Sequence, residues 1–327
     1  MTQDMAASVL DGFGAPEVLH LGRMPRPSVK PDQVLVRVRA ASVNPVDCGF
    51  RAGNMAMVAG KKFPKTIGLD LCGDVTEVGA RVSDFKVGDA VFSFLSPMGT
   101  PGSYAEYVAV SAAQLAKKPA NLSYEDVAAM PVAASTALKA LQGKGRLQAG
   151  QRLLVVGASG GVGTFAVQIG KLLGADVSGV CSGRNAELVM GLGADRVIDY
   201  TKSDFTKADF TKEDARYDVI LDATSAAFSK SRVALKRGGR YITIAFSPGA
   251  LWTSLLSHLA GTGTCHTMMA TPKADELRQI AAWAEAGKLR SVVDKVFPLA
   301  EAAEAHKASE TGRSRGKLVI RVDSADA

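Results

Sequence analysis

The stretch that most constrains this chain is Leu153-Leu154-Val155-Val156 running directly into Gly157-Ala158-Ser159-Gly160-Gly161-Val162-Gly163. Four consecutive apolar residues read as a buried strand. The stripe Phe165, Ile169, Leu172 and Leu173 then marks an amphipathic helix that begins near Val162. Glycines at 157, 160, 161 and 163 let backbone amides close on an anion at the helix start. The unpaired N–H groups and the positive dipole end there favour negative charge. Gly163 would also let the helix pack tightly on the strand. A glycine-rich turn alone is weak evidence. With a strand before it and a helix after it, it reads as the pyrophosphate cradle of a dinucleotide.

Further strands support that reading. Apolar runs recur at 153–156, 177–181, 196–198, 219–221 and 241–245, with amphipathic segments between most of them. Leu188, Met190 and Leu192 belong to one of the shorter segments. Such alternation argues for a parallel, doubly wound sheet. Upstream the period changes. Val34, Val36, Val38 and Ala40 alternate with Arg37 and Arg39, and Gly68, Gly73, Gly79 and the Gly88-Asp89 turn punctuate further short strands. Little helical periodicity interrupts 34–110, so this region reads as a compact β-barrel-like domain. After about Gly263 the alternation fades. Leu277, Ile280, Ala281 and Ala284 fit a helix ending near Gly287, a second helix is expected over 299–308, and 317–322 reads as a closing strand. That strand needs a sheet, and the N-terminal barrel is the simplest one for it to join. The length of 327 residues suits two domains. The expected boundaries are 1–123 with 264–327 for the barrel, and 124–263 for the doubly wound domain.

Composition excludes several classes. Cys48, Cys72, Cys181 and Cys265 form no CxxC pair, so neither a zinc ribbon nor a disulfide framework is indicated. Isolated thiols of this kind suit a reducing compartment. No apolar run reaches membrane-spanning length, and the nearest, 251–260, is interrupted by Thr253, Ser254, Ser257 and His258. The first ten residues lack a signal-peptide pattern. A cytoplasmic protein is expected. The net charge of +7 is spread along the chain, densest at Arg313, Arg315, Lys317 and Arg321. That surplus suits an anionic cofactor, and no aromatic-interleaved basic stretch favours nucleic acid.

The end of the second strand of the doubly wound domain bears on the cofactor. An NAD site usually places an acid there for the ribose 2′-hydroxyl. Here Val177-Ser178-Gly179-Val180-Cys181 ends in Ser182-Gly183-Arg184-Asn185, and the next acid is Glu187. Ser182 and Arg184 would suit a 2′-phosphate, so NADPH is expected.

Several separated motifs carry a resemblance. They are 45–53, Ile67-Gly68-Leu69-Asp70, Gly88-Asp89-Ala90-Val91-Phe92, 102–108, 129–138, the glycine loop, 193–200 and Arg315-Gly316-Lys317-Leu318-Val319-Ile320. In this order, from Ala6 to Val322, the chain resembles the medium-chain dehydrogenase/reductase superfamily. Within it the chain looks like the zinc-independent, quinone-oxidoreductase-like (zeta-crystallin-like) branch. Zinc-dependent members carry Cys near the position of Asn44, Gly-His-Glu where this chain has Gly68-Leu69-Asp70, and a four-cysteine lobe; these ligands are missing here. The resemblance implies a GroES-like barrel split by a Rossmann domain, an active site in the cleft, and a homodimer. It implies a cofactor site formed by Thr136, Ser159, Gly160, Gly161, Val162, Gly163, Ser182, Arg184, Tyr200, Ala245, Arg313 and Arg315. Asn44 and Asp47 are the substrate candidates. Asn44 is expected to hold the acceptor's oxygen or order a water, and Asp47 is a weaker proton-relay candidate. Without zinc, alkoxide oxidation is unfavourable. The expected acceptor is therefore a quinone or α,β-unsaturated carbonyl. A 2-enoyl thioester reductase is the enzymatic rival, and an NADPH-binding regulator or nucleic-acid binder is the rival from another class.

Overall fold

A computed structural model describes residues 4–96, 102–203, 216–224, 231–244, 264–268 and 270–322. The chain opens with an antiparallel pair, β1 (Asp4–Leu10) and β2 (Leu19–Pro25). Five further strands follow: β3 (Gln33–Val43), β4 (Asp70–Val78), β5 (Ala90–Phe94), β6 (Tyr107–Ser111) and β7 (Ala116–Lys117). Helix α1 (Pro45–Ala52) interrupts them, where the sequence pattern had suggested few helices. Its signals are local. Asn44 is the N-cap, Pro45 takes the first helical position, and the Asp47 side chain accepts the Asn44 N–H at 2.8 Å.

Helix α2 (Tyr124–Ala128) is capped by Ser123, whose hydroxyl accepts from the Asp126 N–H. It belongs with the β-rich unit. Tyr124 donates to Asp74 at 2.6 Å, and Arg321 pairs with Glu125 at 2.8 Å. The chain passes between its two compact units within α3 (Pro131–Leu138), which continues into a π-helical turn at Lys139–Lys144.

The second unit, Ala133–Ala270, holds β8 (Arg152–Val156), α4 (Gly161–Leu172), β9 (Asp176–Cys181), α5 (Ala186–Gly191), β10 (Arg196–Asp199), β11 (Tyr217–Asp222), β12 (Leu235–Thr243) and β13 (Thr264–Thr267). These six strands form one parallel sheet in the order β10-β9-β8-β11-β12-β13. Counted within the unit, that is the 3-2-1-4-5-6 order of a doubly wound dinucleotide fold. Thr264–Thr267 pairs with β12, so it is a sheet strand of this unit, although 264 had been expected to open the returning segment.

The chain then re-enters the first unit, Met1–Val132 with Thr271–Ala327. Its last elements are α6 (Ala274–Glu285), β14 (Val293–Pro298), α7 (Ala302–Glu310) and β15 (Lys317–Arg321). The closing strand finds its sheet by pairing antiparallel with β3. The full order is β14-β15-β3-β4-β5-β7, with β6 also on β3. Its core gathers Val34, Val36, Val38, Leu71, Val91, Tyr104, Val108, Phe297 and Ile320. All four cysteines are buried, and none is in a disulfide. No helix among the described residues is long and apolar enough to cross a membrane.

Candidate active site

In the doubly wound unit the glycine loop has the expected form. Gly157 directly follows β8, and its φ of +80° suits glycine. A Cβ on Gly163 would stand 2.0 Å from the Gly157 carbonyl oxygen, so this close turn admits only glycine. Gly160 is the N-cap of α4 and supplies no side-chain cap. The first-turn amides of Gly161, Val162 and Gly163 therefore have neither a helical partner nor a capping side chain. An anion placed there would find donors and the positive end of the helix dipole.

The structure brings several expected cofactor residues together around one residue that sequence reasoning had left unassigned. Asn185 is buried, and its amide donates to Ser159 Oγ at 3.0 Å and to Ser182 Oγ at 3.3 Å. It thereby ties the glycine loop to the end of β9. Its Oδ1 has no protein partner among the described residues. Arg184 is exposed on the short turn Gly183–Asn185. Tyr200 is 61% exposed just past β10, and its N–H bonds the Cys181 carbonyl at 3.1 Å, which sets it beside the same strand end.

An acid does reach this strand end, from the neighbouring strand. The Asp199 carboxylate lies against Gly183. It accepts from Thr201 N at 3.0 Å and Thr201 Oγ1 at 2.7 Å, with Lys202 at 4.0 Å. The Thr201 hydrogen bonds hold this carboxyl below its usual range. Both Thr201 bonds go to Oδ1, whereas Oδ2 is the oxygen beside Gly183. Thr136 is buried on α3. Arg313 and Arg315 belong to the first unit, on the turn between α7 and β15, where Arg315 N donates to Asp294 at 3.1 Å. Ala245 lies outside the described residues, as does the 251–260 segment.

The first unit holds a buried polar cluster that the sheet topology creates. β3 runs antiparallel to both β4 and β15, so the end of β3 meets the starts of the other two. Ser42 faces Asp70, and Val43 faces Leu318. At this junction the Lys317 ammonium donates to Asn44 Oδ1 at 2.6 Å and Val43 O at 3.0 Å, with Asp70 Oδ2 at 3.5 Å. Asp70 also accepts from Ser42 Oγ at 2.6 Å, Asn44 Nδ2 at 2.9 Å and Val132 N at 2.7 Å. Asn44 Nδ2 reaches Asp47 at 3.2 Å. Asp47, Asp70 and Ser42 are fully buried, and Lys317 and Asn44 nearly so.

This corrects the expected role of Asn44. Its two amide hydrogens go to Asp47 and Asp70, and its oxygen takes the Lys317 ammonium. It organises charge rather than offering a free donor to an acceptor oxygen. Asp47 gains importance. Burial, reinforced by the nearby Asp70 charge, pushes its carboxyl up to about 7. Its Oδ1 has no protein partner among the described residues. Burial likewise pulls the Lys317 ammonium below the ordinary lysine range. Beyond Asp47 stands Tyr104, whose hydroxyl is 3.5 Å from Asp47 Oδ2 and 3.3 Å from His306 Nε2. Burial, and then the Arg51 charge, holds His306 down to about 3, so its ring is neutral. Arg51 itself pairs with Glu310.

Asp70, Lys317, Tyr104 and His306 were not legible as site members. Asp70, Tyr104 and Lys317 lay inside recognised motifs, but only strand pairing joins Asp70 to Lys317, 247 positions apart. A capping signal in Asn44-Pro45-Val46-Asp47 could have revealed α1. Among the described residues no group of three or more His, Cys, Asp and Glu side chains could hold a metal ion.

Residues 30–120 match the family model for the alcohol dehydrogenase GroES-like domain, and 192–320 match that for the zinc-binding dehydrogenase. A chloroplast envelope quinone oxidoreductase homolog of Arabidopsis thaliana is 34% identical over 94% of this chain and 95% of its own. An NADPH-dependent alkenal/one oxidoreductase, chloroplastic, of the same plant is 34% identical over 97% of this chain and 80% of its own. The solved quinone oxidoreductase from Coxiella burnetii superposes with a TM-score of 0.90 at 30% identity, covering 98% of this chain and all of that one. With likeness running through both units, the chain belongs to the medium-chain dehydrogenase/reductase superfamily, in its quinone-oxidoreductase-like branch.

Proposed function

We propose that the protein is an NADPH-dependent reductase that works without zinc and passes hydride to a quinone or an α,β-unsaturated carbonyl. The observation that carries this reading is the Lys317 ammonium bound to Asn44 and Asp70. By the resemblance, Asn44 and Leu69 stand at positions where zinc-dependent members supply ligands. An amide, an aliphatic side chain and a carboxylate already holding a cation do not make a tetrahedral zinc site. The zinc-binding dehydrogenase model matches 192–320, which includes neither Asn44 nor Leu69. With no Lewis acid to stabilise an alkoxide, the acceptor itself must delocalise charge. Quinones and enones do so, and the names of two relatives point to these classes.

Support for NADPH over NADH comes from Ser182 and Arg184 at the end of β9. The uncapped start of α4, with Ser159, Gly160, Gly161, Val162 and Gly163, fits the pyrophosphate. Tyr200 stands beside the strand end and would join Arg184 at the 2′-phosphate. Thr136, Ala245, Arg313 and Arg315 complete the site by resemblance. NADPH, when bound, supplies hydride from its nicotinamide ring. Asn44 is then a positioning residue that fixes Asp47 and Asp70 against Lys317. Asp47 changes protonation near neutral pH and is the candidate proton store for the reduced acceptor. A cytoplasmic homodimer completes the reading.

An NADPH-consumption screen over quinones, alkenals, enones and enoyl thioesters tests the proposal. Turnover of quinones or enones, with none of primary alcohols plus NADP⁺, is expected. Robust alcohol oxidation, or stoichiometric zinc whose removal abolishes activity, would overturn it. Arg184→Ala tests the cofactor separately. Loss of a charge-assisted hydrogen bond of about 1.5–3 kcal/mol should weaken NADPH roughly ten- to a hundredfold and leave NADH nearly unchanged. Fluorescence titration with both cofactors reads this out, and equal losses would remove Arg184 from the 2′-phosphate.

A further inference from the structure

Asn185 is the N-cap of α5, a position where an asparagine ordinarily turns its side-chain oxygen back to accept from the first-turn amides. Here it makes no such cap. Its side chain is aimed the other way, and Nδ2 donates to Ser159 Oγ at 3.0 Å and to Ser182 Oγ at 3.3 Å. Oδ1 is left buried with no protein partner among the described residues. A buried oxygen without a donor lowers stability, so holding α5 in place does not account for this orientation.

The direction of the two bonds decides what each serine has left to offer. An amide N–H₂ only donates, so both hydroxyls accept from it. A hydroxyl has a single hydrogen, and each one must then point away from Asn185. Neither hydroxyl donates to a protein group among the described residues, and Ser182 makes no side-chain cap on its own turn. Both serines are half-buried. Ser159 lies in the glycine loop, next to the Gly160 N-cap of α4, and Ser182 follows β9 just before the turn that carries Arg184. One buried amide therefore leaves two hydroxyl hydrogens free to serve anions at two separate places.

We propose that Asn185 is a positioning residue for the cofactor. It presets the Ser159 hydroxyl as a donor to the pyrophosphate and the Ser182 hydroxyl as a donor to the ribose 2′-phosphate. It acts through the two serines, so one residue sets both the affinity for the dinucleotide and the preference for its phosphorylated form. This rests on the reading of the loop and strand end as an NADPH site. Donors fixed in advance lose less freedom on binding, and hydrogen bonds to charged oxygens are the stronger kind.

Fluorescence titration of the whole protein with NADPH and with NADH tests it. Asn185→Ala should weaken NADH about threefold, through Ser159 alone, and NADPH about tenfold, through both serines. Asn185→Asp keeps the volume but draws both hydroxyl hydrogens inward, and should weaken NADPH about a hundredfold. With Ser159→Ala and Ser182→Ala already in place, Asn185→Ala should weaken neither cofactor by more than about twofold. Its melting temperature should stay close to that of the wild type, because an unsatisfied buried oxygen leaves together with the two bonds. Full-size losses in the serine-free background would overturn the proposal. So would wild-type affinity in Asn185→Asp, or a lowered melting temperature with both affinities intact. Failure of the NADPH reading looks different: the wild type and Ser182→Ala would then bind both cofactors alike. In that case Asn185→Ala and Ser159→Ala, combined and titrated with NADH, still decide the role of Asn185, and additive losses overturn it.

Discussion

Lys317→Met is expected to lower stability by about 3–5 kcal/mol, because it leaves the Asp70 carboxylate buried without its cation. Asp70 is fully inaccessible, and Lys317 is 3% exposed. Met preserves most of the buried stem, so the loss reports charge rather than volume. Asp70 would still accept from Ser42, Asn44 and Val132, but three neutral donors do not replace an ammonium in a low-dielectric site. A loss of this size takes a large share of the roughly 5–15 kcal/mol that keeps a typical protein folded. Urea unfolding of the wild type, Lys317→Met, Asp70→Asn and the double variant measures it. The double variant should lose less than the sum of the two single losses by more than about 1 kcal/mol. If Lys317→Met fails to fold, recovery of a folded protein on adding Asp70→Asn makes the same point. Additive losses would show that the two groups do not depend on each other.

A pH dependence centred on Asp47 should be nearly as large. Its carboxyl is pushed up to about 7 by burial and by Asp70, against an unfolded value of about 3.9. Between these values the folded protein holds a proton that the unfolded chain has released. Stability from this group therefore falls as pH rises from about 4 to about 7, and levels off above. The full swing is on the order of 4 kcal/mol, at 1.36 kcal/mol for each pKa unit. The groups facing Asp47 are the Asn44 amide, Asp70, Lys317 and the Tyr104 hydroxyl, with neutral His306 beyond. Asp47→Asn removes the titration and keeps an oxygen to accept the Asn44 N–H. It also places an amide N–H₂ where Oδ1 has no partner, at a cost of about 1–3 kcal/mol. The variant should accordingly be less stable than the wild type near pH 5 and more stable near pH 8. Melting temperatures at the two pH values decide this. Parallel curves for the two proteins would mean that Asp47 does not titrate in this range.

The doubly wound unit was legible because its information is local. A buried strand, a glycine turn and an amphipathic stripe lie within about 20 residues, and each imposes its own period on the sequence. Leu153–Gly163 therefore announced β8, the loop and α4 without any tertiary contact, and the later apolar runs marked β9 to β12. β13 was the exception. Thr264–Thr267 is short and mostly polar, and only its partner β12 makes it a strand.

The first unit kept more to itself. Helix α1 hid because eight residues with one capping signal leave little periodic trace between two strands. Along the chain the first acid after Cys181 is Glu187, yet Asp199 arrives from β10 beside Gly183, where only the pairing of β10 with β9 puts it. Asn185 ties the loop to that same strand end through Ser159 and Ser182, contacts that no sequence pattern marks.

By itself, then, the sequence determined that a dinucleotide-type sheet is joined to a β-rich unit, and which segment forms the glycine-rich strand-to-helix turn. Periodicity and glycine placement are properties of neighbouring residues. Only the tertiary structure decided what Asn44, Asp47, Asp70 and Lys317 do. Antiparallel pairing of β3 with β4 and β15 brings three strand ends to one buried point, and burial there sets the charges. A carboxylate's protonation, and whether an amide is free or spent, depends on which groups have been taken out of water together, and the order of residues along the chain does not contain that.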